Sequence, residues 1–114
     1  MRRVVITGLG AVTSLGVGAE ANWQALLAAR SGITAIHKFD VSDIPAKIAG
    51  MIPVGDGSNN TFNADDWVPA KDRRRMDDFI IYGLCAAEQA IADSGWVPKT
   101  DEDTWRTGVL IGSG

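Results

Sequence analysis

Residues 70–95 read AKDRRRMDDFIIYGLCAAEQAIADSG and carry the most regular pattern in the chain. From Met76 to Ile91 the apolar residues recur three and four positions apart, which is the spacing of one face of an α-helix. Gly95 stands where the glycine that ends a helix is expected. The spacing therefore predicts one long helix over residues 70–94, and the small apolar residues of its second half predict that more than one neighbour covers it.

Two runs of aliphatic and β-branched residues, at positions 4–7 and 107–111, predict strands. Continuous runs of this kind are typical of strands covered on both faces, as in the parallel or mixed sheets of α/β proteins. A weaker strand is predicted within residues 47–52, where Gly50 interrupts the apolar pattern. Together with the helical segments, these strands predict an α/β fold.

A second helix is predicted over residues 19–30, with Gly32 placed to end it. We expect this helix to be amphipathic and to lie on a sheet. Residues 33–45 show no regular spacing, and residues 53–63 are rich in Gly, Asn, Ser and Asp, which favour turns. Both segments are therefore expected to be irregular, with residues 53–63 forming a surface loop. The predicted buried face of the helix comprises Trp23, Leu26, Leu27 and Arg30.

Composition and charge exclude several classes of protein. The chain has 114 residues, 46% of them hydrophobic, so we expect one folded domain rather than two domains or a disordered segment. The 11 basic and 14 acidic residues give a net charge of −3, so no overall field attracts nucleic acid or a membrane surface. Cys85 is the single cysteine, which leaves no internal disulfide and no multi-cysteine zinc site. We expect a cytoplasmic protein that uses no metal or cofactor.

The segment Gly8-Leu9-Gly10 begins like a dinucleotide-binding fingerprint, in which glycines bring the backbone close to a pyrophosphate. However, Thr13 replaces the third glycine, and the next predicted helix does not start at once. A structural turn is the favoured interpretation, and a nucleotide-binding oxidoreductase domain is kept as a minor alternative.

Two residues with reactive side chains are predicted to have structural roles. Cys85 lies in the middle of the predicted long helix between apolar neighbours, so we expect a buried thiol rather than an activated nucleophile. His37 is the single histidine and lies in an irregular stretch, where a solvated or capping role is expected.

A cluster of basic residues begins the predicted long helix. Lys71, Arg74 and Arg75 have the spacing i, i+3 and i+4, which places them on one face of that helix. Cations in the first turns of a helix oppose its dipole, so we expect compensation by nearby acids or by an acidic partner. The expected pairs within the helix are Arg73–Asp77 and Arg74–Asp78.

Four segments, in this order, resemble the N-terminal portion of a β-ketoacyl-[acyl-carrier-protein] synthase, the type II synthase of fatty acid elongation. Together they extend over essentially the whole chain. The segments are MRRVVITGLGAVTSLG at 1–16, NWQALLAARSGI at 22–33, RRRMDDFIIYGLCAAEQAIADSGW at 73–96 and RTGVLIGSG at 106–114.

The resemblance implies a thiolase-like fold of two similar α/β halves, layered α/β/α/β/α in the complete enzyme and usually dimeric. It implies an enzyme that moves an acyl chain from acyl carrier protein to a cysteine and extends it by two carbons with malonyl-carrier protein. The family's catalytic cysteine and two histidines lie downstream of Gly114, and neither Cys85 nor His37 matches them. Residues 1–114 are therefore expected to be an incomplete N-terminal ketosynthase domain, with no second domain and no activity alone.

The resemblance also implies roles for two groups of residues in this chain. Lys71, Arg74 and Arg75 match basic positions that meet the acidic helix of the acyl carrier protein in similar synthases. The segment 112–114 is expected to approach the acyl pocket without doing chemistry; its residues are Gly112, Ser113 and Gly114. A non-catalytic partner subunit of the chain-length-factor type is the second interpretation, because such a relative would keep the fold and lack the nucleophile.

Overall fold

The computed structural model describes residues 1–112 of the chain. In chain order the strands and helices are β1 (Val12–Thr13), β2 (Gly16–Val17), α1 (Ala19–Leu27), β3 (Ile33–Ala35), β4 (Ile48–Gly50), α2 (Ala70–Arg73), α3 (Asp78–Ser94) and α4 (Asp101–Trp105). Two 3₁₀ turns, Ser58–Asn60 and Ala64–Asp66, lie between β4 and α2.

The strands form two antiparallel pairs, β1 with β2 and β3 with β4. In the second pair Ile33 lies opposite Gly50 and Ala35 lies opposite Ile48. The weak strand predicted within residues 47–52 is confirmed as β4. The expectation that residues 33–45 are wholly irregular is wrong, because β3 lies at their start and supplies the strand with which β4 pairs.

The strands predicted at residues 4–7 and 107–111 are not formed among the described residues. Val4, Val5 and Ile6 are exposed, and so are the aliphatic side chains of residues 109–111. An extended segment becomes a strand only when another strand accepts its backbone hydrogen bonds. Neither segment has such a neighbour within residues 1–112, so no strand forms at either place.

Helix α1 begins where the sequence predicts but ends at Leu27, because Ala29 adopts a left-handed conformation with φ of 51°. Gly32 therefore does not end it. Its buried residues are Asn22 and Ala25, whereas the predicted apolar face is exposed. The helix contacts β2 through its small and polar side, and no sheet of the described residues lies under its large apolar side chains.

The single long helix predicted over residues 70–94 is two helices, α2 and α3. Asp77 separates them, because its backbone is extended with φ of −75° and ψ of 157°. The predicted C-terminal end is confirmed: Gly95 adopts the left-handed conformation with φ of 63°. The amide of Gly95 donates a hydrogen bond to the carbonyl oxygen of Ile91 at 3.1 Å.

The glycines near the N-terminus lie against α3 rather than at the start of a helix. A Cβ atom added at Gly8 would lie 2.2 Å from the carbonyl oxygen of Ala90, and one added at Gly10 would lie 1.9 Å from that of Ala86. After Gly10 the chain enters the β1–β2 pair and reaches α1 only at Ala19, so these glycines do not lead directly into a helix as the fingerprint requires. The dinucleotide interpretation is therefore wrong, and the glycines permit close packing on a helix.

The core is small and consists of Phe62, Val68, Ile81 and Cys85. The ring of Phe62 contacts the edge of Tyr82, with centroids 4.8 Å apart and ring planes at 77°. Because Val68 lies two residues before α2 and the other side of the core is α3, this cluster fixes the position of the chain between residues 68 and 78. Residues 53–63 form the predicted loop, with one short 3₁₀ turn, but the expectation that all of it lies at the surface is wrong, because Phe62 is buried in the core.

Helix α4 was not predicted, although its N-terminal capping box is visible in the sequence. The side chain of Thr100 accepts a hydrogen bond from the amide of Asp103, and the side chain of Asp103 accepts one from the amide of Thr100. Thr followed by an acid three positions later is a signature of a helix start.

Candidate functional site

The basic segment, residues 70–76, lies at the surface between two anchors in the core. Val68 is buried on its N-terminal side, and Met76 is partly buried against the same core cluster at its C-terminal end. Pro69, with φ of −54°, leads directly into α2. The intervening side chains are therefore held at the surface by apolar contacts on both sides.

Within the basic segment, the backbone makes one helical turn and then a tighter turn. The amide of Arg75 donates to the carbonyl oxygen of Asp72 at 3.2 Å, and the amide of Met76 donates to that of Arg73 at 3.1 Å. Arg74 is the C-cap of α2. The basic residues therefore belong to α2 and to its C-terminal end, so the expectation that they oppose the dipole of one long helix is wrong.

The four cationic side chains of the basic segment divide into one that is partly buried and three that are exposed. Arg73 forms an ion pair with Asp65, which lies in the preceding 3₁₀ turn. Lys71, Arg74 and Arg75 are exposed, and no carboxylate of residues 1–112 lies within ion-pair distance of them. The structure therefore brings the three predicted docking residues onto one short exposed segment.

Neither ion pair predicted within the long helix is formed. Arg73 contacts Asp65 instead of Asp77, and Nζ of Lys38 lies 2.7 Å from Oδ2 of Asp78. Both predictions assumed a continuous helix, and the break at Asp77 removes the i, i+4 spacing on which they depended. The acids are used in contacts between elements rather than in contacts along one helix.

Lys38 adds a further cation beside the N-terminus of α3. Its hydrogen bond to Asp78 and the charge of that carboxylate raise the pKa of Lys38 above its usual value. The two side chains are 70% and 61% exposed, so water screens the attraction between their charges. The pair forms a contact between the β3–β4 connection and the start of α3.

The potential nucleophile and the histidine lie where the sequence predicts. Cys85 is fully buried, and this burial raises the pKa of its thiol. Nε2 of Gln89 lies 3.2 Å from its sulfur atom. His37 is exposed, with Nδ1 3.4 Å from the carbonyl oxygen of Ala35. Neither side chain is arranged for acyl transfer.

The segment 112–114 is described only at its first residue. Gly112 is exposed, and a Cβ atom added to it would meet nothing within 4 Å. Ser113 and Gly114 lie outside the described residues. The expected approach of this segment to an acyl pocket therefore stays a prediction.

Two further classes of site are absent from residues 1–112. No group of three or more His, Cys, Asp or Glu side chains in this part of the chain could hold a metal ion. Within the same residues, no helix combines the length and the apolar character needed to cross a membrane.

The sequence did not reveal Asp65 as the partner of Arg73, nor Lys38 as the partner of Asp78. Asp65 is eight positions from Arg73 and Lys38 is 40 positions from Asp78, so no helical or strand period links either pair.

Comparison with known proteins gives one consistent family. All of residues 1–114 match the family model described as "Beta-ketoacyl synthase, N-terminal domain". Over its whole length the chain is 55% identical to 3-oxoacyl-[acyl-carrier-protein] synthase 2 of Rhizobium meliloti (strain 1021), of which it spans 27%. Over 99% of its length it is 41% identical to the protein of the same name from Vibrio cholerae, of which it spans 25%.

A solved structure shows the same similarity at the level of the fold. The chain superimposes on "The ishigamide ketosynthase/chain length factor" with a TM-score of 0.67 and 33% sequence identity. The match covers 90% of this chain and 23% of the other. The chain thus spans about a quarter of the length of the relatives that it matches.

Proposed function

Because the chain belongs to the beta-ketoacyl synthase family, whose N-terminal domain it matches over residues 1–114, we propose that the protein carrying it is a condensing enzyme of fatty acid elongation. Its fold is that of the N-terminal part of a thiolase-like α/β protein. The observation that supports the activity is 55% identity over the whole chain to a 3-oxoacyl-[acyl-carrier-protein] synthase. The reaction is a decarboxylative condensation that extends an acyl chain by two carbons.

In this proposal the reacting groups belong to the protein outside residues 1–114. An acyl group is held as a thioester on a cysteine, malonyl-carrier protein loses CO₂, and the resulting carbanion attacks the thioester carbonyl and displaces the thiolate. Cys85 is not that cysteine, because it is buried in the middle of α3 with a raised pKa. Residues 1–114 alone are therefore proposed to be inactive, as an incomplete N-terminal ketosynthase domain with no second domain.

The role proposed for this chain's own residues is to dock the acyl carrier protein. Lys71, Arg74 and Arg75 are exposed on a short segment that the core anchors at both ends. No carboxylate of the described residues neutralises them, although the chain as a whole is acidic. A local positive patch on a negative protein suits an acidic partner that must be steered to one place.

The condensing activity is tested with the full protein that carries this chain. Purified protein is given acyl-carrier protein and malonyl-carrier protein, and the expected product is a β-ketoacyl-carrier protein two carbons longer, released with one CO₂ per turnover. Binding of carrier protein without extension would reject the condensing activity.

The docking role is tested by reversing the three charges together in the same protein, with Lys71→Glu, Arg74→Glu and Arg75→Glu. We expect KM for the carrier protein to rise at least tenfold while kcat changes little, since the patch steers the partner and takes no part in chemistry. A KM equal to that of the unmodified protein at low salt would reject the docking role.

Three further features are part of the proposal. Gly112, Ser113 and Gly114 are proposed to approach the acyl pocket without taking part in the chemistry. The complete protein is proposed to be a homodimer, and the phosphopantetheine arm of its carrier protein presents the acyl and malonyl groups. A cytoplasmic location is proposed because the free thiol of Cys85 suits a reducing compartment.

A non-catalytic partner subunit is the alternative. It is favoured by the name of the superimposed structure, which includes a chain length factor beside a ketosynthase. The two functions differ in the remaining sequence of the protein: a reactive cysteine followed by two histidines supports the enzyme, and their absence supports the partner subunit.

A further inference from the structure

We propose that Arg73 and Asp65 position the docking residues of the basic segment and do not themselves contact the carrier protein. This inference rests on the proposed docking role of Lys71, Arg74 and Arg75. It assigns to the fourth cation of the segment a function different from that of the other three.

The burial of Arg73 distinguishes it from its neighbours. Its side chain is 25% exposed, and its Nε atom is buried, whereas the other cations of the segment are exposed. A guanidinium that has lost part of its water is stable only beside an opposite charge. Asp65 supplies that charge through an ion pair with the Nη2 atom of Arg73. Arg73 is thus held toward the protein, and little of it is available to a partner.

Asp65 is itself held in place by the turn in which it lies. The side chain of Asn63 caps this 3₁₀ turn by accepting a hydrogen bond from the amide of Asp65 at 3.2 Å, and it donates another to Asp66 at 2.9 Å. The turn leads to Val68, which is buried in the core. The ion pair therefore links α2 to a turn whose backbone is fixed; the Asp65 carboxylate is 71% exposed, and the partly buried member of the pair is Arg73.

This link determines which side of the basic segment faces outward. Val68 and Met76 anchor the two ends of the segment, but helix α2 between them has four residues, too few to fix its rotation by its own hydrogen bonds. With Arg73 turned toward Asp65, the side chains of Lys71 and Arg74 point elsewhere, because residues one and two positions apart on a helical turn do not share a face. Loss of the ion pair allows the turn to rotate, so that fewer molecules present all three cations together.

The variant Asp65→Asn distinguishes a positioning role of Asp65 from a direct electrostatic effect of its charge on carrier-protein binding. Removing an acid beside the patch makes the patch more positive, so electrostatics alone predicts tighter binding of an acidic carrier protein. Positioning predicts the opposite: KM and Kd for the carrier protein rise roughly three- to tenfold with kcat unchanged, because the apparent Kd scales inversely with the fraction of correctly oriented molecules. Asp72→Asn is the matched control, since it removes the same charge from the segment without breaking an ion pair, and it should not weaken binding.

A charge swap gives the second test, in the full protein that carries this chain. Arg73→Glu alone should weaken carrier binding, and Arg73→Glu combined with Asp65→Arg should restore Kd to within about twofold, because the pair is rebuilt with its polarity reversed. If the double variant binds as weakly as Arg73→Glu, Arg73 contacts the partner and the inference is overturned. Tighter or unchanged binding by Asp65→Asn overturns it as well.

The charge reversal at positions 71, 74 and 75 distinguishes the two proposals. If that reversal leaves Kd unchanged, the docking role fails together with this inference. If reversal weakens binding while Asp65→Asn does not, the docking role stands and the positioning role alone fails.

Discussion

The backbone amide of Leu9 donates a 2.9 Å hydrogen bond to Oδ2 of Asp93, and this bond fastens the N-terminal segment to the last turns of α3. One turn earlier on the same helix, Oε1 of Gln89 accepts a 3.3 Å hydrogen bond from the amide of Ala11. Residues four apart lie on one face of a helix, so α3 offers two acceptors to the segment that precedes β1. The same face of α3 lies so close to the backbone at Gly8 and Gly10 that these two positions require glycine.

Replacing Gly10 with alanine is expected to destabilise the protein by about 2–3 kcal/mol, since the added methyl group would overlap the backbone of α3. Its Cβ would lie 1.9 Å from the carbonyl oxygen of Ala86, and a helix backbone cannot move aside as a flexible side chain can. Urea unfolding of the protein that carries this chain measures the change. Gly83→Ala is the control: nothing lies within 4 Å of that position inside α3, so alanine should stabilise by about 0.5–1 kcal/mol. Equal stabilities for the two variants would contradict this account of Gly10.

Binding of the carrier protein is expected to weaken as salt is added, because exposed charges are screened within about 10 Å at 0.1 M ionic strength. Neutralising the patch with Lys71→Gln, Arg74→Gln and Arg75→Gln should flatten this dependence. Titration calorimetry at several salt concentrations measures it. Arg106→Gln is the matched control, since Arg106 is paired with Glu102 on α4. This variant should leave the change of Kd with salt concentration unaltered. If Kd for the triple variant still rises steeply with salt concentration, the docking surface lies elsewhere.

The thiol of Cys85 is expected to resist alkylation at neutral pH while the protein is folded. Burial raises its pKa, so the thiolate that reacts is scarce, and the sulfur is fully covered. Peptide mass spectrometry after iodoacetamide treatment should find Cys85 unmodified in native buffer and modified in denaturant. Rapid native labelling at this residue would show that the α3 core opens.

The start of α4 is expected to loosen in acid. Hydrogen bonds from the amide of Lys99 and from Thr100 hold the pKa of Asp103 below its usual value. A lowered pKa means that this carboxylate favours the folded helix start above its unfolded pKa of about 3.9, and that the contribution disappears as pH falls through the lower folded pKa. Protection of the amides of residues 101–105, measured relative to the intrinsic exchange rate at each pH, should therefore fall below about pH 4. Asp103→Asn should show lower protection already at neutral pH and little further change in acid.

The candidate site could be predicted in part. The family resemblance identified Lys71, Arg74 and Arg75 as docking residues, and in the structure all three are exposed on the basic segment. Their local geometry could not be predicted, because the apolar spacing continues without interruption from α2 into α3. This spacing gives no sign that the backbone is extended at Asp77 and that the helix is broken there. The ion-pair partners of Arg73 and Asp78 are Asp65 and Lys38, and no sequence period connects the members of either pair.

The sequence by itself determined features that depend on a few neighbouring residues. These are the start of α1, the glycine-capped end of α3, the turn-rich loop at 53–63 and the buried thiol of Cys85, since each follows from local spacing, local backbone preference or apolar character. Tertiary structure decided where strands form and which ion pairs exist. A strand needs a neighbour for its hydrogen bonds, and a charge pairs with whatever acid the fold brings near, so distant parts of the chain settle both.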